Sequence, residues 1–321
     1  YTSCFPKPPS RWQLDAQHVV MRFPLRLHRP VAAATVPPVA VEMESEGVEL
    51  KWGSGIHPAE HLVVMVNGLN GCYTNWNVLK QALHEQLGRE RTNMLFYASQ
   101  SNRRLRTFGG ICTCADRLSQ ELLDVMETCP NLKEISFLVH SMGGLISRYA
   151  IGVNFDPEKR TVFGLHPKHF MSIASPHLGC DLEGETQVPF LGWLKSIPII
   201  GPLILRPLIT LIAPFIVKHI YRRTGRQLFL MDGESDGKDP LICRLVQDIP
   251  GEGHFLSALK EFKTRTCYAN VRHDGLVGWE NASLRRTSEL PETVDVPLGS
   301  SVTYRSDELK NALWSDDHEE D

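Results

Sequence analysis

The sequence predicts an α/β protein: a mostly parallel central sheet with helices on both faces and a helical, apolar lid or cap insertion. Three observations lead there. Short continuous apolar runs alternate with helix-spaced stretches, as expected of strands buried on both faces and joined by crossover helices. Glycine-rich or Ser-Gly turns follow two of those runs. One segment, residues 186–231, then breaks the alternation with no Asp or Glu at all.

The elements follow in order. The stretch "VEMESEGVELKWG" (41–53) alternates and turns at Glu46-Gly47, which predicts a hairpin. Residues 62–66 of "HLVVMVNGLNG" form the first buried strand. "NWNVLKQALHEQLG" carries Trp76, Leu79, Leu83 and Leu87 at helical spacing and stops at Gly88. A second strand is expected over 93–99 and a helix over 115–130, stopped by Pro130. "EISFLVHS" is a third strand, "GGLISRYAIG" a third helix, and "HFMSIASPHLG" (169–179) a fourth strand running into a loop. The last strand is placed at Cys267–Val271.

The interrupting segment holds six basic residues around the apolar runs 196–205 and 207–217. Each run is far short of the ~20 residues that span a bilayer, and Arg206 separates them. Two readings stand: a buried helical insertion, or a lid whose apolar side meets lipid and whose cations meet anionic head groups. The organisation expected is an N-terminal extension and hairpin (1–57), a main domain (58–306) with the insertion at about 183–235, and an acidic tail (307–321).

Composition narrows the classes. A net charge of -3 over 321 residues excludes a whole-protein nucleic-acid binder. The eight cysteines form no C-x-x-C pair, and Cys112 and Cys114 are too close for zinc spacing, so reduced, buried thiols in a reducing compartment are expected. Residues 1–40 carry five basic residues, one acid and seven prolines. They read as a disordered lead-in or the remnant of a plastid-type transit peptide, otherwise on a cytoplasmic protein. No secretory signal is visible.

The chemistry converges on Ser141. A serine hydroxyl needs a base, a group that orients the base, and donors for the oxyanion. In "FLVHSMGGLISRYA" a strand meets a helix at Ser141, with Gly143-Gly144 behind it, as at the nucleophile of α/β-hydrolases. Val139 stands where that pattern has its first glycine, and a branched side chain there calls for a small neighbour. The N–H of Met142 is one expected oxyanion donor. The N–H of Leu69, in the loop after the first strand, is the other. Asp274, just past the expected last strand, is the expected acid, with Asp232 and Asp239 as rivals and a turn role before Gly275 as the alternative. For the base, His318 is the only histidine after Asp274, the order such triads follow. His177, His254, His273 and a missing base remain open.

These stretches, with "FMSIASPHLG", "RRTGRQLFLMD" and "YANVRHDGLVGW", resemble the plant branch of the serine esterase family of lipase-like α/β-hydrolases over roughly residues 60–290. The resemblance implies hydrolysis of acyl-lipid esters without metal or organic cofactor, with Ser141 as nucleophile and Asp274 as acid. It also implies a Pro-His element after Leu290-Pro291, which this chain lacks. Two further readings stay open: a non-catalytic hydrolase-like module that binds lipid or protein on membranes, and a lipid acyltransferase.

Overall fold

The computed structural model describes residues 59–87, 93–180, 215, 219, 221–233, 237–271, 274 and 276–290. The expected hairpin at 41–53, the apolar runs 196–205 and 207–217 apart from Phe215, His273, His318 and the acidic tail lie outside the described residues.

β1 (His61–Val66) is buried at all six positions, as a strand covered on both faces is. It pairs in parallel with β2 (Met94–Ala98) and with β3 (Glu134–His140). β3 pairs in parallel with β6 (His166–Ile173), and β6 with β9 (Thr264–Tyr268). The order is β2-β1-β3-β6-β9, so β3 is central and Ser141 follows its C-terminal end. Two short antiparallel pairs stand apart: β4 (Phe155–Asp156) with β5 (Thr161–Val162), and β7 (Asp248–Ile249) with β8 (Gly253–His254).

Alternation of side chains places two cores on the two faces. Leu62, Val64, Val66, Ile135, Phe137 and Val139 face α2 (Ile111–Thr128), α3 (Gly143–Val153) and α6 (Phe255–Lys260). Met65, Ala98 and Leu138 face Trp76 and α1 (Asn77–Leu87), from which Leu79 and Leu83 pack inward. Each fully buried Leu, Ile or Phe contributes roughly 1.5–3 kcal/mol. This is the α/β-hydrolase arrangement.

Three boundaries differ from the sequence reading. β9 lies at 264–268 rather than 267–271: its register against His169–Ile173 fixes it there. Its first residues, Thr264, Arg265 and Thr266, are polar because β9 has a described partner on one side only, so an apolar run is not required. β6 starts at His166, where His166, Pro167 and Lys168 carry no strand signal. α2 begins at Ile111, one turn before the expected start. Its N-cap, Gly110, has φ +104° and no capping side chain. The caps arrive from α4 (Arg222–Leu228) instead: Ile111 N donates to Gln227 Oε1 at 2.6 Å, and Gly110 N to Thr224 Oγ1 at 2.8 Å. Thr224 Oγ1 in turn donates to Thr107 O at 2.7 Å. Residues 221–233, which the sequence reading put inside the lid, therefore pack against the α2 N-terminus. The short helix α5 (Leu241–Arg244) follows them.

Among the described residues no helix is long and apolar enough to cross a membrane. The seven described cysteines are free thiols, four of them buried.

Candidate active site

Ser141 occupies the turn between β3 and α3 at φ +53°, a left-handed conformation that a non-glycine residue adopts at a cost. The turn is pinned on both sides. Ser141 N donates to Ile173 O at 2.9 Å, and Gly144 N donates to Ser141 O at 3.0 Å. Close packing explains the small residues. A Cβ on Gly143 would collide with Val66 O, and it would lie 2.9 Å from Asn67 O. Val139 is fully buried and faces Val66 on one side and Ser172 on the other, so the small neighbour it requires is Ser172.

The loop after β1 runs beside the serine. Among the described residues, neither Leu69 N–H nor Met142 N–H has a hydrogen-bond acceptor. The N-terminus of α3 adds its positive dipole end. The loop is stitched to its neighbour after β2. Buried Asn67 donates from Nδ2 to Asn102 O at 3.0 Å, Asn70 N to Thr107 Oγ1 at 2.9 Å, and Arg104 N to Gly71 O at 2.8 Å. That neighbour is itself clasped by buried Glu121, which accepts from Tyr97 Oη, Ser99 Oγ, Gln100 N and Ser101 N. Asn67 thus acts here as a bridge between two loops.

Asp274 lies in the loop after β9 at the same end of the sheet. Its Oδ1 accepts from Leu276 N and Val277 N, both at 3.0 Å, and its Oδ2 from Asn270 Nδ2 at 2.8 Å. This is a side-chain-capped turn, and an ionised carboxylate retains room for one more donor. His140, next to the serine, is within electrostatic reach of Asp274. Desolvation holds its pKa below the usual imidazole value, and the Asp274 carboxylate pulls the other way. Of the rival acids, Asp232 caps α5 by accepting Leu241 N at 3.0 Å, and Asp239 is exposed.

The described histidines lie in other settings. His254 packs edge-on to Phe155 in the β8 hairpin. His177 is buried beneath the turn, with Nε2 2.8 Å from Ser172 Oγ and Nδ1 3.5 Å from Arg148 Nη1. Burial first, then the Arg148 charge, push its pKa down to about 3. Arg148 on α3 is equally buried and donates to Leu245 O at 2.8 Å and His177 O at 3.4 Å. Desolvation lowers its own pKa to about 10. Arg148's part in this network is hidden in the sequence, because an Arg inside "LISRYAIG" reads as the solvent side of a helix.

Putative lipase ROG1 of Saccharomyces cerevisiae is 26% identical over 229 residues, 70% of this chain and 28% of its own length. Putative lipase C4A8.10 of Schizosaccharomyces pombe is 24% identical over 261 residues, 78% of this chain and 30% of its own. The chain thus spans less than a third of either relative. Among solved structures, the RedJ thioesterase from the prodiginine pathway of Streptomyces coelicolor is similar at 19% identity and a TM-score of 0.31, covering 61% of this chain and 63% of that one. The mature lipase BlEst2 of Bacillus licheniformis is similar at 18% identity and a TM-score of 0.30, covering 53% and 65%. The profile of the family described as Putative serine esterase (DUF676) matches residues 57–284, and the chain belongs to that family.

Proposed function

We propose that the chain hydrolyses carboxylic esters of acyl lipids through an acyl-enzyme. Ser141 Oγ attacks the ester carbonyl carbon, and the resulting oxyanion is held by the Leu69 and Met142 N–H groups. A histidine takes the serine proton and passes it to the leaving alcohol. Water then attacks the acyl-enzyme by the same route and releases the acid. Asp274 orients the histidine, and His318 is the base by chain order. The observation that carries the reading is Ser141 at φ +53° on the central strand's turn, against Gly68 of the loop after β1, with Leu69 N–H and Met142 N–H lacking acceptors among the described residues. The acid-free segment 186–231 suits an acyl chain better than a peptide, and the likeness to the plant branch is part of the same reading.

A second reading has its own support. Asp274 spends both oxygens on turn donors, and among the described residues no histidine donates to it. A binding module with a hydrolase scaffold fits that arrangement. With an alcohol in place of water, the first mechanism becomes acyl transfer.

Purified chain and p-nitrophenyl esters of graded length separate these. Ser141→Ala is expected to lower kcat by at least about 10⁴-fold. Equal slow rates in both proteins would leave the binding module. His318→Ala at full activity would remove His318 from the triad. Product analysis with added alcohol distinguishes acyl transfer from hydrolysis.

A further inference from the structure

We propose that the loop after β2, together with the start of α4, is a docking surface for an anionic phospholipid bilayer, which it holds against the mouth of the Ser141 site. The inference deepens the lipid-ester reading and rests on it only for the purpose of docking, not for the docking itself.

The surface is set by topology. The sheet is parallel, so the loop after β2 emerges at the same end as Ser141. A tight 3₁₀ turn, Arg104–Gly109, holds it there. Arg103, Arg104 and Arg106 are exposed, and between them Leu105 stands 78% exposed. The turn packs against α4: Phe108 and Tyr221 stack with centroids 5.8 Å apart, and Thr224 bonds Thr107 O. This contact adds exposed Arg222 and Arg223 to the patch.

What marks this end is the number of exposed arginines gathered around one exposed leucine. Among the described residues, none of these five arginines has a carboxylate within ion-pair distance. Several cations elsewhere do have such partners: Lys133 pairs with Glu60, Lys168 with Glu134, Arg160 with Glu261, and Lys159 with Asp156. Unpaired guanidinium groups bind phosphate in a two-point fork, which suits lipid head groups. An exposed leucine among them has no role toward a nucleic-acid backbone, but it inserts readily at the acyl boundary. The bilayer is therefore the occupant the patch fits.

The test is co-sedimentation of the full chain with phosphatidylcholine vesicles, with and without phosphatidylserine, at low and high salt. Binding is expected only to the phosphatidylserine vesicles and to weaken with salt. Combined Arg103→Gln, Arg104→Gln and Arg106→Gln should lower partitioning on the order of 100-fold, at about tenfold or less per arginine. Leu105→Ala, a milder change that spares the charges, should lower it several-fold. Hydrolysis of a soluble p-nitrophenyl ester should stay within about twofold in all of them. If the esterase reading fails, vesicle binding still reads out. Salt-independent binding, or wild-type binding by both variants, would overturn the proposal. So would an equal loss on changing Lys133, Lys159 and Lys260 to Gln, or tighter binding to duplex DNA than to vesicles.

Discussion

Gly68 stands against Ser141 so closely that a Cβ on it would lie 2.5 Å from the serine Cβ and 2.9 Å from its Oγ. The loop that carries Leu69 is therefore in van der Waals contact with the serine itself. Its distance from the serine hydroxyl is set by the missing side chain.

Gly68→Ala tests that contact. The backbone of Gly68 does not have positive φ, so the cost is purely steric. The loop must back away or the serine must turn. Stability is expected to fall by roughly 1–3 kcal/mol, and kcat by about 10²-fold as the donor moves on the order of 1 Å. Urea melts and p-nitrophenyl ester kinetics measure both. Unchanged kcat with lowered stability would take Leu69 out of the oxyanion site.

Asp274 combines a turn role with the proposed acid role, and two substitutions separate them. Asparagine keeps an oxygen for the Leu276 and Val277 amides, so Asp274→Asn should fold normally. Its kcat should nevertheless drop by about 10⁴-fold if Asp274 orients the base. Asp274→Ala should also lose about 1 kcal/mol of stability with the turn bonds. An Asn variant with full activity would leave Asp274 a turn residue alone.

His177 predicts a pH dependence of stability. Its folded pKa, about 3, lies below the unfolded value of 6.5, so in the window between them only the unfolded chain takes the proton. Stability from this residue is complete above pH 6.5 and is lost as pH falls toward 3, at a slope approaching about 1.4 kcal/mol per pH unit. Urea melts of wild type and His177→Gln between about pH 7 and pH 4 isolate the effect from the carboxylates. Parallel curves for the two proteins would contradict a buried neutral His177.

Gln227 predicts a stability effect separate from the chemistry. Gln227→Ala removes the acceptor for Ile111 N and should cost about 0.5–2 kcal/mol, with kcat on soluble esters unchanged. Thr224→Val removes the second cap and should behave alike. A loss of kcat with no loss of stability would show that α4 acts on the site rather than on α2.

These residues also mark how far the sequence could be read. β1, β3 and α3 were legible because burial on both faces writes a continuous apolar run, and because a strand, a turn serine and two glycines are neighbours in the chain. The shifted β9 and the early start of β6 were not. Their first residues need only one covered face, so Thr264, Arg265, His166 and Lys168 look like loop. The start of α2 was hidden for another reason. Its caps come from Gln227 and Thr224, over a hundred residues later, and no local window contains them. The "RRTGRQLFLMD" stretch could be matched by resemblance, yet its capping work appeared only in the fold. Asp274 could be named from "HDG", but its occupancy by Leu276, Val277 and Asn270 required coordinates.

Thr107 gives these contacts a mechanical meaning. Its carbonyl takes the hydroxyl of Thr224 on α4, and its own hydroxyl takes the amide of Asn70, one residue past Leu69. Thr107 is thus a pin between α4 and the loop that faces the serine, beside the Phe108–Tyr221 stack. A displacement of α4 is expected to reach the loop beside Ser141 through this threonine, together with the Asn67–Asn102 and Arg104–Gly71 bonds that tie the two loops.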